Sequence, residues 1–163
     1  MGIPKGLKDI VLEESDFQCA YCGYREGLHL TLHHIVPSEA DGDTCYENLI
    51  ALCFNCHEKV NKSKKISIKE IRRLKRHLVK RYLTQQGVNA LKYAFWYDQV
   101  DVSPVLVHHL VERGLLKFEK KHMWAAHDII NTYSITENGR KLAEQWVLNK
   151  SELKEKPKSD ISD

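Results

Sequence analysis

No apolar run in this chain of 163 residues approaches the ~20 needed to cross a bilayer. Its first residues lack the apolar core of a secretory leader. Met1-Gly2 resembles the start of a myristoylation signal, but Gly6 stands where that motif wants Ser or Thr. There is no internal repeat, which excludes solenoids, and no Gly-rich loop of the kind that cradles nucleotide phosphates. With 42% hydrophobic and 29% charged residues the chain reads as a soluble globular protein of one domain or two small ones, with no membrane partner. A cytoplasmic, reducing compartment is the expectation, and there thiols stay available to metals.

Large apolar residues are also scarce between Phe17 and Asn61. A segment of that size buries only a modest core, so it needs a staple. Four cysteines supply one, in the pairs Cys19-x-x-Cys22 and Cys53-x-x-Cys56. Two such knuckles can clamp one tetrahedral Zn2+ and close the chain between them into a loop, so that zinc carries much of the folding energy. A structural zinc ribbon in a DNA- or protein-binding module is the plainer use of the same cysteines. A disulfide framework would leave Cys45 unpaired.

Histidines lie inside and beside that loop. In Leu28-His29-Leu30-Thr31-Leu32-His33 the leucines share one face of a strand, and His29, Thr31 and His33 share the other. Cys56 and His57 open a helical segment in which residues four apart lie on one face, so His57 and Asn61 can point at one ion. A strand ending in His33-His34, a loop, Asn48, and a helix carrying His57 and Asn61 make a hairpin-and-helix hand around a metal.

Over roughly residues 17 to 62 these motifs resemble the HNH endonucleases of the ββα-metal fold, in their zinc-knuckle variant. The resemblance implies that His33 binds the catalytic divalent metal, that His34 is the general base, and that Asn48 supports and orients that base. It makes His57 a metal ligand and Asn61, at a position where members carry His or Asn, the last of the set. The chemistry is coherent: phosphodiester hydrolysis needs a nucleophile from water and neutralisation of charge at the phosphoryl group, and an imidazole is suited to accept the proton of water near neutral pH. A site of two imidazoles and an amide leaves positions for water and phosphate oxygens. Mg2+, or a transition metal such as Mn2+, Ni2+ or cobalt, would serve there, and nitrogen ligands favour the transition metals.

A net charge of only +3 hides a strong asymmetry. Residues 1 to 58 carry 3 Lys or Arg against 10 Asp or Glu, residues 59 to 81 carry 11 against 1, and the remainder balances at 11 against 11. Attraction to DNA must therefore come mainly from the middle block. There Ser67-Ile68-Lys69-Glu70 fits a capping box, and Ile68, Ile71, Leu74, Leu78 and Tyr82 recur at helical spacing. The other faces of this basic linker helix, residues 65 to 83, carry Lys69, Arg72, Arg73, Lys75, Arg76, Lys80 and Arg81. With Lys62, Lys64 and Lys65 just upstream, these are the expected backbone contacts, although a basic amphipathic helix could also meet a membrane surface or an acidic protein.

Beyond a break at residues 83 to 87, Val88 to Tyr97 reads as a buried helix. Ser103-Pro104 starts another helix that stops at Gly114. Leu115 to Glu119 and Thr132 to Ile135 read as strands joined through Lys120-Lys121-His122, and Thr136 caps a last helix reaching about Leu148. Leu110-Val111-Glu112-Arg113-Gly114-Leu115-Leu116 and Tyr133-Ser134-Ile135-Thr136-Glu137-Asn138-Gly139-Arg140 resemble the winged helix-turn-helix pattern over residues 84 to 148. That resemblance makes Val105 to Arg113 the recognition helix, exposing His108, His109 and Glu112, and puts Lys120 and Lys121 in a DNA-contacting wing. Trp96, Trp124 and Trp146 read as packing residues, and the polar tail from residue 149 as disordered.

The expected architecture is thus α+β: a zinc-stapled ββα-metal nuclease lobe at 1–64, a basic linker helix at 65–83, a winged-helix-like domain at 84–148 and a tail at 149–163. The expected function is divalent-metal-dependent hydrolysis of DNA. A non-catalytic zinc-containing DNA-binding regulator and an RNA nuclease are the alternatives, and a double-strand cut would call for a homodimer.

Overall fold

The computed structural model describes residues 3–25, 29–40, 42–124, 128–149 and 151–154. The side chains of 123, 124 and 128, and with them the packing expected of Trp124, lie outside that description. The chain divides into two compact units, Met1–Tyr82 and Leu83–Asp163. No described helix is long and apolar enough to cross a membrane.

In the first unit, helix α1 (Lys5–Glu14) precedes an antiparallel hairpin of β1 (Leu30–His34) and β2 (Leu49–Cys53), and helix α2 (Phe54–Asn61) follows β2 without a gap. Pairing runs from Leu30 opposite Cys53 to His34 opposite Leu49. All five residues of β2, Leu-Ile-Ala-Leu-Cys, are buried, so this strand reads as an unbroken apolar run and not as an alternation. Leu49 and Ala51 pack with Val11 of α1, flanked by Leu7, Leu12, Leu32 and Tyr46. Ile50 and Leu52 alternate to the opposite face, which they share with His33, the cross-strand partner of Ile50.

Helix α3 (Ile68–Tyr82) starts at the expected capping box: the Ser67 amide donates to Glu70 Oε2 (2.9 Å) and the Glu70 amide to Ser67 Oγ (3.2 Å). Its buried side is Ile71, Lys75, Leu78 and Val79. Lys75 therefore departs from the basic face that the spacing assigned to it: its Nζ lies 2.7 Å from Glu14 Oε2 with neither side chain exposed. Charges are buried only when paired, and Glu14 is 61 residues away in sequence. Arg81 donates to the Glu14 carbonyl (3.1 Å) and Tyr82 to Glu13 (3.3 Å), so α3 is fastened along α1 as part of the first unit.

The second unit runs α4 (Thr84–Tyr97), β3 (Gln99–Val102), α5 (Pro104–Glu112), β4 (Leu116–Trp124), β5 (Asp128–Ile135) and α6 (Glu137–Leu142), closed by a π-type turn at Ala143–Val147. The sheet order is β3-β5-β4, antiparallel throughout. Three expectations change. The break lies at Leu83–Thr84, where Thr84 has φ 61°, and Gly87 belongs to the first turn of α4, its amide capped by Thr84 Oγ1 (3.2 Å). Strand β3 separates α4 from α5, so these are not consecutive helices. Lys120 and Lys121 lie within β4 and not in a loop, because the hairpin extends to Trp124 and Asp128 before turning.

Gly87 is needed where α4 crosses α5: a Cβ there would stand 2.8 Å from His109 Nε2, which itself bonds the Leu83 carbonyl at 2.8 Å. His109 is thus half-buried and engaged, and not exposed as its place on a recognition helix implied, whereas His108 is open and pairs with Glu112 at 3.3 Å. The two second-unit motifs meet: Thr136 caps Gly139 (3.0 Å), its hydroxyl also contacts the Gly114 carbonyl (2.6 Å), and a Cβ at Gly139 would fall 2.2 Å from the Leu115 carbonyl oxygen. Trp146 is buried, and Trp96 is half-buried edge-on to Phe95. The first described residues of the tail, 151–154, are ordered into turns: Asn149 Oδ1 accepts from the Ser151 and Glu152 amides, both at 3.0 Å. The remaining tail positions lie outside the described residues.

Candidate active site

Two knuckles bring four sulfurs together. The ligand atoms of Cys19, Cys22, Cys53 and Cys56 all lie within 4.8 Å of one another, and Cys22 Sγ is 3.7 Å from Cys53 Sγ. Four sulfurs at about 2.3 Å from a tetrahedral zinc stand roughly 3.8 Å apart, so the cluster has the dimensions of a four-cysteine zinc site. A disulfide, with sulfurs about 2 Å apart, it is not. Burial, followed by the neighbouring sulfurs of Cys22 and Cys53, pushes the Cys56 thiol up, so crowded thiolates here call for a cation. The fit is chemical as well as geometric.

The second cluster stands where β1 meets α2. His33 is 5% exposed, and its Nε2 is buried with no hydrogen-bond partner among the described residues. An orphaned buried ring nitrogen is costly unless something binds it. The His33 and His57 rings are 5.3 Å apart and near perpendicular, and Asn61 Nδ2 lies 3.1 Å from His57 Nε2. Burial first, then the nearby His57, His34 and Lys64, lowers the His33 pKa from 6.5 to about 4. Its lone pair is therefore held unprotonated at neutral pH. Two imidazoles and an amide at this spacing suit a divalent cation with nitrogen and oxygen ligands.

His34 ends β1, and its Nε2 is 3.0 Å from Thr44 Oγ1. Asn48 is buried and uses both ends of its amide on the intervening loop. The Val36 amide donates to Oδ1 (2.8 Å), while Nδ2 donates to the carbonyls of Val36 and Asp43 (both 2.9 Å). It thus fixes the backbone two residues beyond His34 and touches Thr44's neighbour, while the imidazole itself is contacted by Thr44. The Ile35 amide, bonded to the Asn48 carbonyl at 2.9 Å, adds to the clamp. Sequence reading missed Thr44 and Gly42. The second is forced by a close approach, since a Cβ there would stand 1.9 Å from the Val36 carbonyl oxygen. Gly42-Asp43 is a turn signal in the sequence, but nothing in it points at His34.

Of the expected DNA contacts, Lys64, Lys65, Lys69, Arg72, Arg73 and Arg76 are exposed in the first unit, and Lys80 is half-buried. Lys62 is exposed but paired with Glu58 at 2.6 Å. Lys69, Arg72, Arg73 and Arg76 line a cleft of about 500 Å³ on α3. Lys120 and Lys121 are exposed on β4 of the second unit.

With that geometry in place, residues 19–63 match the family model described as HNH endonuclease. A stretch of 65 residues is 31% identical to the Type IV methyl-directed restriction enzyme EcoKMcrA of Escherichia coli (strain K12), over 36% of this chain and 24% of that protein. The chain thus spans about a quarter of the length of that curated relative. No solved structure matches.

Proposed function

We propose that the chain is a divalent-metal-dependent endonuclease that hydrolyses DNA phosphodiester bonds at the β1–α2 cluster. The observation that carries this reading is the orphaned Nε2 of His33 beside His57 and Asn61, inside the segment that matches the HNH family. His33, His57 and Asn61 would hold Mg2+, Mn2+ or Ni2+, which supplies charge neutralisation at the phosphoryl group and the leaving oxygen. Cys19, Cys22, Cys53 and Cys56 would hold a structural Zn2+.

His34 serves as general base. In the tautomer that carries its proton on Nε2, Thr44 Oγ1 accepts that hydrogen bond and the lone pair at Nδ1 is left to take the proton of the attacking water. Asn48 acts through the backbone, keeping the 36–43 loop, and with it Thr44, in register with His34. The cationic face of α3 holds the DNA backbone. The second unit, read as winged-helix-like, positions or dimerises the nuclease, with Lys120 and Lys121 of its hairpin on DNA. Its setting is the cytoplasm, where the four thiols remain reduced.

The test is cleavage of supercoiled plasmid with EDTA, Mg2+, Mn2+ or Ni2+, run beside His34→Ala. Metal-dependent nicking or linearisation that disappears in the variant is the expected result. Equal inertness of both proteins, with DNA still shifted on a gel, would replace the nuclease reading with that of a DNA-binding regulator.

A further inference from the structure

The second unit holds a cavity of about 860 Å³, and of its lining only Lys120 has been given a role above. Its volume lies within the roughly 300–1,000 Å³ usual for small-ligand pockets. Tyr93 and Tyr97 of α4 line it together with Gln99 and Asp101 of β3, Thr132 of β5, and Glu119, Lys120 and His122 of β4. Asp101 and Lys120 both stand opposite Thr132 in the sheet register, so the three share one face.

The polar groups of that face are fixed in advance. The Thr132 hydroxyl donates to Asp101 Oδ1 at 2.5 Å, and it therefore accepts from His122 Nε2 at 2.8 Å. This assigns the His122 proton to Nε2 and leaves Nδ1 as the acceptor of the neutral ring. A bulge between Phe118 and Lys120 does the rest. Consecutive strand residues ordinarily face opposite sides, but here Glu119 and Lys120 both reach the cavity. Glu119 is held by the Ser134 hydroxyl (2.6 Å) and Lys117 (3.1 Å).

The aromatic wall completes the set. Tyr93 and Tyr97 are one helical turn apart and stacked, with centroids 4.5 Å apart and planes at 27°. Tyr93 remains 43% exposed, although it is a large aromatic. A stacked aromatic shelf beside a row of fixed donors and acceptors is the arrangement that reads a planar heteroaromatic ring, face on the shelf and edge on the row. A base still paired in a duplex hides its Watson–Crick edge and both faces, so the ring must come from an unpaired nucleotide.

We propose that this cavity binds the base of an unpaired DNA nucleotide, stacked on Tyr93 with its edge toward Gln99, Asp101 and His122, and with Lys120 toward the adjoining phosphate. The nuclease reading enters only in naming DNA as the source of the nucleotide.

The test uses the full chain carrying His34→Ala, so that no strand is cut, and fluorescence anisotropy with two labelled single-stranded DNAs of equal length and charge. One bears every base, and the other has abasic sugars at its centre. About tenfold tighter binding of the base-bearing strand is expected, as one stacked base supplies. Tyr93→Ala and Asp101→Ala should each reduce that preference below about twofold, with the abasic strand bound as before, and Tyr93→Phe should keep it. Equal binding of both strands, or a preference that survives both alanine variants, would overturn the proposal. Plasmid cleavage is read separately. Cutting without base preference removes this inference alone, and base preference in a chain that never cuts removes the nuclease reading and leaves this one.

Discussion

Lys75 and Glu14 form an ion pair in which neither side chain is exposed, and Tyr46 joins them from the loop before β2. Its hydroxyl donates to Glu14 Oε1 at 2.6 Å, and Lys75 Nζ lies 3.8 Å above its ring. Helix α1, the loop carrying Asn48 and the basic helix are thereby tied at one point. Removing one partner of a buried pair strands the other charge, so Lys75→Met should lower unfolding free energy by about 3–5 kcal/mol in urea titrations. Adding Glu14→Leu to it should recover much of that loss.

Loss of zinc should unfold the first unit selectively. One zinc per chain by elemental analysis, and removal by a strong chelator with loss of part of the far-ultraviolet helix signal, is the expected pattern. Cys56→Ser should reproduce it, since this sulfur is buried within the cluster. A chain that melts identically with and without metal would speak against a structural ion.

His33 and His34 should fail differently. His34→Ala is expected to lower the cleavage rate by about 10²–10⁴-fold, the usual contribution of a general base, while Mn2+ binding by calorimetry stays near wild type. His33→Ala should weaken Mn2+ binding and recover part of its activity at raised metal concentration.

The depressed pKa of His33 contributes to the pH response of the metal-free protein. A histidine whose folded pKa of about 4 lies below the unfolded 6.5 favours the neutral form in the fold. Its contribution to stability is full above pH 6.5 and is lost as pH falls from 6.5 toward 4. The His33 ring resonance in an NMR titration should therefore stay flat down to about pH 5. A midpoint near 6.5 would show that the ring is not desolvated.

Phosphate binding along α3 should appear as salt dependence. Replacing Arg72, Arg73 or Arg76 by Ala should flatten the plot of log affinity against log salt by about 0.9 on duplex DNA for each phosphate no longer neutralised. The weakening should be the same for unrelated sequences, because such groups position the protein without reading bases.

Much of the first unit was legible because its signals are local. Cys-x-x-Cys spacing, the His33-His34 strand end and the Ser67–Glu70 cap each lie within a few residues, and the structure draws His33, His57 and Asn61 into one cluster. Lys75 was illegible for the opposite reason: helical spacing places it but cannot reveal a carboxylate 61 residues away. Strand β3 was missed because Gln-Val-Asp-Val buries only one of its four residues. The length of β4 was missed because Lys120, Lys121 and His122 are all polar, in a stretch where pairing with β5, not burial, makes the strand. His109 carried no mark of its bond to the Leu83 carbonyl, which is made where Gly87 leaves room for the imidazole.

Helix α2 has one further consequence. Cys56 and His57 are neighbours in it, so a sulfur of one cluster and a nitrogen of the other are indexed by a single peptide step. An α-helix turns about 100° per residue. Inserting or deleting one residue between Cys53 and Asn61 would swing at least one donor set away from its partners, Cys19, Cys22 and Cys53 on one side or His33 on the other. The eight-residue helix therefore works as a gear between the two clusters, and its length is fixed by both.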